Sequence, residues 1–342
     1  MIENQEMESL SDLKITVGII TYNRPVFLKE AVSSVLQQSY KNFELIISND
    51  YVDTPVTLES LGIDSDPRIK IINQNPNLGE VNNMNYLLKV AQGEWFVWLA
   101  DDDLLHAEFL LLANKAISKS QVQNLVGIFS NYSSKSNPEG IFPQPLKSGK
   151  WFYYDASCFI AEYTSKQISL VGCYGIMHAA TLRKIGGMPR LGNSFGPYSD
   201  NLIPILLAEH GSLCWLDEQL IFLRSHPDSL SCKSAEFSAY TSAEKDYLDN
   251  LARVCSSKEL SIKADQIIAN MVRWFSADEW TVLHRDTSLG KFALFRKYIK
   301  YQISVNLPRL SIQNKITHIF FLLYFLGARL LVALYRTLRT FI

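Results

Sequence analysis

Short apolar runs alternate with longer amphipathic ones through the first half of this 342-residue chain. Residues 14–20 (KITVGII) are apolar and β-branched and predict a strand. The turn TYNRP follows. From Pro25 to Gln38, apolar Phe27, Leu28, Ala31, Val32, Val35 and Leu36 recur at helical spacing. FELIIS at 43–48 and RIKIIN at 68–73 predict the second and third strands. NLG at 77–79 leads into a helical stretch ending at Ala91, and EWFVWLA at 94–100 predicts a fourth strand closed by three Asp. Leu104–Ala116 reads as helix and Leu125–Tyr132 as a fifth strand. Strands alternating with helices imply an α/β fold with a parallel sheet. Runs apolar on both faces fit a sheet covered on both sides. Residues 133–170, with SSKSNPEG and PQPLKSGKWFYY, read as loops, 171–224 as further short elements, and 235–283 as helical.

Composition narrows the class. With 47% hydrophobic, 12% aromatic and 20% charged residues, the chain can bury a sizeable core. A net charge of −1 excludes a broadly basic nucleic-acid binder. The charge is uneven, however. Residues 284–342 hold ten Lys or Arg and one acid, Asp286, a net +9 that leaves −10 on the first 283. Five Cys, with no CxxC pair, predict neither a disulfide framework nor a zinc cluster. The first 14 residues, acidic and without an apolar core, do not read as a secretory signal, so a reducing cytosol is expected.

Open parallel sheets bind ligands beyond the carboxyl ends of their strands. Three polar clusters fall at such ends: Thr21-Tyr22-Asn23, Asn49-Asp50 and Asp101-Asp102-Asp103. Each alone also reads as a turn or a helix cap. Three adjacent carboxylates repel one another unless solvated or neutralised, and a divalent cation, Mn2+ or Mg2+, is a natural neutraliser. An acidic helix N-terminus is the competing explanation.

These residues carry a family resemblance. The segments ITVGIITYNRPVFLKEAVSSVLQQSYKNFELIISND and NPNLGEVNNMNYLLKVAQGEWFVWLADDDLL resemble glycosyltransferase family 2, inverting enzymes with a GT-A nucleotide-sugar-binding fold. The resemblance runs from Ile15 to about Ser231, roughly two thirds of the chain. It implies a Rossmann-like mixed, mostly parallel sheet flanked by helices, plus a helical C-terminal region. The organisation expected is a flexible N-terminus (1–13), a GT-A domain (14–231), a helical accessory region (232–283) and a basic, apolar membrane-associating tail (284–342).

The resemblance also implies roles. Thr21, Tyr22 and Asn23 would line the donor-nucleotide pocket with Asn85. Asp50 would accept from the imide N–H of uracil or thymine, and Asp101 would approach the ribose. Asp102 would bind the metal, supported by Asp103, with His226 (in FLRSHPDSLS) approaching the metal or diphosphate. Asp200, in GPYSDNLIPILLAEHG, would be the general base that takes the acceptor proton; an N-cap role is its alternative. Arg224 reads as a phosphate contact or an ion pair, His178 as structural or acceptor-side, and Trp151–Tyr154 as a sugar platform or a core or lipid-facing cluster. The pattern departs from the family at Asn49, where Asp is frequent, at Tyr51, where Gly is frequent, at Met84, where Arg is common, and at Leu99, where the first acid of D-x-D-D stands.

The tail adds a partner. Eleven of the seventeen residues Ile319–Tyr335 are Leu, Ile, Phe or Val. Each contributes about −0.3 to −0.6 kcal/mol to insertion, against about +2.5 to +3.5 for Arg329. Basic flanks on both sides suit a helix lying on an anionic leaflet; a soluble packed helix is the alternative. The expected protein is a metal-assisted transferase at the cytoplasmic face of a membrane, moving a sugar from a nucleotide-sugar donor to a glycan or lipid-linked hydroxyl acceptor. A non-catalytic nucleotide-sugar or glycan-binding scaffold is the second reading. TYNRP in place of G-x-G-x-x-G argues against a nicotinamide dehydrogenase.

Overall fold

A computed structural model describes residues 12–135, 150–192, 196–226, 236–257, 264–285, 290–322 and 324. The chain forms two compact units, one of residues 1–190 and 199–227, the other of 191–198 and 228–342.

The first unit is built on a sheet with nine strands among the described residues: β1 (Ile15–Thr21), β2 (Phe43–Asn49), β3 (Ile69–Asn73), β4 (Trp95–Ala100), β5 (Leu104–Leu105), β6 (Leu125–Lys135), β7 (Trp151–Tyr154), β8 (Ile176–His178) and β9 (Ser212–Arg224). Their order is β3-β2-β1-β4-β8-β6-β9-β5, with β7 also on β9. β1 pairs in parallel with β2 and β4, β2 with β3, and β6 with β9. β8 runs antiparallel to both neighbours, and β5 and β7 antiparallel to β9. The sheet is therefore mixed and mostly parallel, as expected.

Helices α1 (Pro25–Leu36), α2 (Leu58–Leu61), α3 (Glu80–Val90), α4 (Phe109–Ser118), α5 (Ala156–Thr164), α6 (Ala179–Lys184) and α7 (Ser199–Ala208) complete the unit. Pro25 opens α1 with its φ preset and no N–H to satisfy. The buried stripe Leu28, Ala31, Val32 and Val35 joins Ile15, Val17, Ile19, Val97 and Leu99 in one core. Each such side chain contributes about 1.5–3 kcal/mol on burial.

Two expectations are corrected. Leu104–Leu105 do not open a helix; they pair with Ile221 and Phe222 as β5, and α4 starts at Phe109. Within 133–170, expected as loops, Ala156–Thr164 is helix α5 and Trp151–Tyr154 is strand β7. Its alternate side chains divide: Tyr153 donates to the Ala116 carbonyl (2.7 Å), while Phe152 lies outward against Trp215 (ring centroids 5.7 Å).

The second unit is helical: α8 (Phe237–Cys255), α9 (Ala264–Arg285), α10 (Lys291–Tyr301), a π-helical turn (Gln302–Asn306), a 3-10 turn (Leu307–Arg309) and a helix at 312–322. Phe275 packs on Tyr198 and Tyr247 at 4.5 and 4.9 Å between centroids. Among the described residues no helix is long and apolar enough to cross a membrane. Most of the apolar stretch 319–335 lies outside the described residues, as do residues 1–11.

Candidate active site

The site forms where parallel strands β1, β2 and β4 end. Asp101, directly after β4, is buried beneath the turn that follows β1. It accepts from Thr21 Oγ1 (2.7 Å), the Tyr22 backbone N–H (3.3 Å) and an Arg24 guanidinium N–H (3.1 Å). Asn23 makes this turn possible with a left-handed φ of 54°, which Asn tolerates better than most residues. The same Arg24 nitrogen donates to Asp102 Oδ2 at 2.9 Å. Arg24 therefore neutralises two of the three adjacent carboxylates. Burial still pushes the Asp101 carboxyl above the usual range, with Asp102 adding to it against the Thr21 and Arg24 bonds.

His226, two residues past β9, brings Nε2 within 2.9 Å of the same Asp102 oxygen. Its ring lies against Phe27 (4.7 Å), and its buried Nδ1 has no hydrogen-bond partner among the described residues. Asp103 is engaged differently. The Tyr174 hydroxyl donates to its Oδ2, and the Arg224 backbone N–H to its Oδ1 at 2.8 Å. Burial first, and Asp102 second, push it up to about 7. Asp103, for which a metal-supporting role is expected, thus ties β9 and the 3-10 turn Gly172–Tyr174 to the end of β4. Arg224 resolves as an ion pair, its guanidinium on Glu30 and over the Phe27 ring at 4.5 Å.

Asp50, directly after β2, is also buried. Its carboxylate oxygens accept the Leu78 and Gly79 backbone N–H groups at 2.7 and 2.8 Å. Gly79 takes a φ of 77° to present its amide there, at the start of α3. Tyr22 and Tyr51 meet edge to face beside this point (5.2 Å), with Tyr22 exposed. Asn85 does not join the cluster. Its amide exchanges two hydrogen bonds with the Met188 backbone, at 3.0 and 2.8 Å. The donor contact expected of Asn85 is not formed by these bonds, which tie α3 to the Met188 backbone. Met84 is buried, and its carbonyl takes the Trp98 indole N–H (2.9 Å). His178 bonds Thr181 (2.9 Å) and packs on Trp95, a structural role.

Asp200 lies in the first turn of α7, held by the Asn201 side-chain amide at 3.0 Å. Burial pushes its carboxyl up. The backbone of Gly172 presses against it: a Cβ there would fall 1.8 Å from the Asp200 carbonyl oxygen. The three-residue turn that begins on Asp200 therefore ends, at Tyr174, on Asp103. Glu80, at the first position of α3, completes the group. Desolvation, then the charges of Asp200 and Asp102, raise its carboxyl to about 7. Glu80 is nonetheless exposed by surface area. Asp50, Glu80, Asp102 and Asp200 are thus connected through neighbouring loops and fields.

Sequence reasoning missed Arg24 and Glu80. Arg24 had a signal: a cation in the turn after β1, facing an Asp triplet at the end of a neighbouring strand. Glu80 looks like any acidic first-turn residue.

For a divalent ion, the described residues offer no group of three or more carboxylate, imidazole or thiol side chains. Asp102 Oδ2 and His226 Nε2 are bonded to each other at 2.9 Å, and an ion held by both would take the place of that hydrogen bond. That donor pair fits an ion that takes its remaining ligands from diphosphate and water.

The fold is of the GT-A class. Staphylococcus aureus TarS 1–349 in complex with UDP-GlcNAc superposes with a TM-score of 0.62 at 15% identity, over 87% of this chain and 83% of that one. The mannosyltransferase PcManGT of Pyrobaculum calidifontis, in complex with GDP-Man and Mn2+, superposes at 0.51 and 14% identity, over 92% and 86%. Residues 16–177, a little under half of the chain, match the model of glycosyl transferase family 2. A relative from Campylobacter jejuni, a GalNAc(5)-diNAcBac-PP-undecaprenol beta-1,3-glucosyltransferase, is 39% identical over 107 residues, 30% of this chain and 34% of the relative. Matched stretches span between about a quarter and a third of the first curated relatives' lengths.

Proposed function

We propose that this protein is an inverting glycosyltransferase that moves a sugar from a UDP- or dTDP-type donor to a hydroxyl of a glycan or lipid-linked acceptor. The observation that carries this reading is the convergence of Arg24, Asp102 and His226 at the strand ends, joined to Asp200 through the turn Gly172–Tyr174. The nucleotide base would lie beside Asp50 against the exposed Tyr22 ring. Each Asp50 oxygen has a second lone pair beyond its bond to a loop amide, available to an imide N–H. The name of the C. jejuni relative supports a lipid-linked acceptor.

Asp102 and His226 would hold Mn2+ or Mg2+, which neutralises negative charge growing on the departing diphosphate. Arg24, bonded to the same Asp102 oxygen, supplies positive charge beside it. Asp200 takes the proton from the acceptor hydroxyl as the oxygen attacks. Burial strengthens it as a base, because a carboxylate held above its usual range binds a proton more firmly.

Titration with UDP, with and without Mn2+, tests the donor assignment. Wild type is expected to bind UDP more tightly with Mn2+, and Asp102→Ala to lose about tenfold or more in affinity, a difference of about 1.4 kcal/mol. Equal binding by wild type and Asp102→Ala, or no binding by wild type, would contradict it.

A further inference from the structure

The last described helix of the second unit, residues 312–322, has two unlike sides. Asn314, His318 and Leu322 recur every four residues and are buried. Leu322 packs with Phe237, Leu283 and Tyr298, and His318 bonds Gln302 at 3.1 Å. Opposite them stand Ile312, Ile316, Ile319 and Phe320, with Tyr324 one turn on. At 100° per residue the two sets face opposite ways. The second set is exposed, by 78, 53, 44, 66 and 78%. Single exposed apolar residues are ordinary, but a continuous stripe of five marks a contact surface.

Charge identifies the partner. No Asp or Glu follows Asp286, while nine Lys or Arg do. Arg296, Lys297 and Lys300 of α10 are exposed. A second copy would bring the same positive charge and be repelled; an anionic surface is complementary. A one-sided apolar stripe suits a helix lying in the interface.

We infer that the face Ile312–Ile316–Ile319–Phe320–Tyr324 docks on an anionic lipid bilayer, with the helix axis in the membrane plane. The inference rests on the proposed lipid-linked acceptor for its purpose, though not for its geometry. The full-length protein is sedimented with vesicles of phosphatidylcholine alone and of phosphatidylcholine mixed with phosphatidylglycerol, while UDP binding is measured separately. The wild type is expected to bind the mixed vesicles, less so at high salt. Ile316→Asp with Phe320→Asp is expected to lower the bound fraction about tenfold or more, through lost apolar burial, with UDP binding unchanged. Three outcomes would overturn the inference: no vesicle binding by wild type, equal binding by the double variant, or a wild-type dimer that the variant dissolves without any vesicle binding. Loss of UDP binding by wild type would instead count against the donor assignment.

Discussion

Arg24 changes the meaning of the acidic triplet that follows β4. In sequence, Asp101, Asp102 and Asp103 are equivalent neighbours; tertiary partners separate them. Asp101 anchors the turn after β1, Asp102 meets Arg24 and His226, and Asp103 is bonded to Tyr174 and the Arg224 backbone. The partners of Asp103 lie 71 and 121 residues away in the chain, so no local pattern announces them. The family pattern expects a cation in α3; Met84 is buried there, and Arg24 supplies positive charge from the start of α1. Replacing it with a neutral amide leaves two carboxylates facing each other. Arg24→Gln is expected to lower stability by about 1.5–3 kcal/mol, the range for hydrogen bonds to charged groups. If a cation occupies the same point, Mn2+ should raise the unfolding temperature of the variant more than that of the wild type. Equal Mn2+ shifts, or no loss in the variant, would count against this arrangement.

Among the elements, the parallel strands were legible because each is an apolar run bounded by turn residues. β5 and β7 were not, because both exist through pairing with β9, about sixty residues or more further on. The helices of the second unit were legible as helices, but their acidic interior was not. Glu244 of α8 and Glu279 of α9 are fully buried, with Asn306 donating to Glu244 (3.0 Å) and Gln302 to Glu279 (3.2 Å). Burial and the facing Glu244 carboxyl push Glu279 well above the usual carboxylate range. Glu244 is raised by burial, partly offset by its hydrogen bonds and by Arg309. Tyr298, also buried, and Tyr301, half-buried, lie near this pair, are raised too and stay protonated. The folded pair therefore keeps a proton that an unfolded chain releases near pH 4.3. Stability falls as pH rises above that value towards the folded pKa. Glu80 and Asp103, each at about 7, contribute a slope of the same sign. Thermal unfolding followed from about pH 5 to pH 8 should show Glu279→Gln with a flatter decline than the wild type and a higher midpoint at the alkaline end. Identical slopes would show that the pair holds no proton.

At the scale of the whole molecule, an acidic α/β unit gathers its polar strand ends into one site, and a helical unit carries the basic, partly apolar C-terminal sequence. The sheet orders the chemistry because β1, β2 and β4 lie side by side and end together. That adjacency brings residues 21–24, 50 and 101–102 close, although they are scattered in the chain. Asp200 arrives from α7, where its position depends on Gly172 having no side chain. The central claim is that Asp200 acts on an acceptor beside a donor bound at Asp102. Its most direct test is sugar transfer by Asp200→Asn, with UDP affinity measured on the same protein. The account predicts a fall in transfer of about 10²–10⁴-fold, the contribution of a positioned base, with UDP affinity kept. Transfer at the wild-type rate, or loss of transfer and UDP binding together, would contradict it.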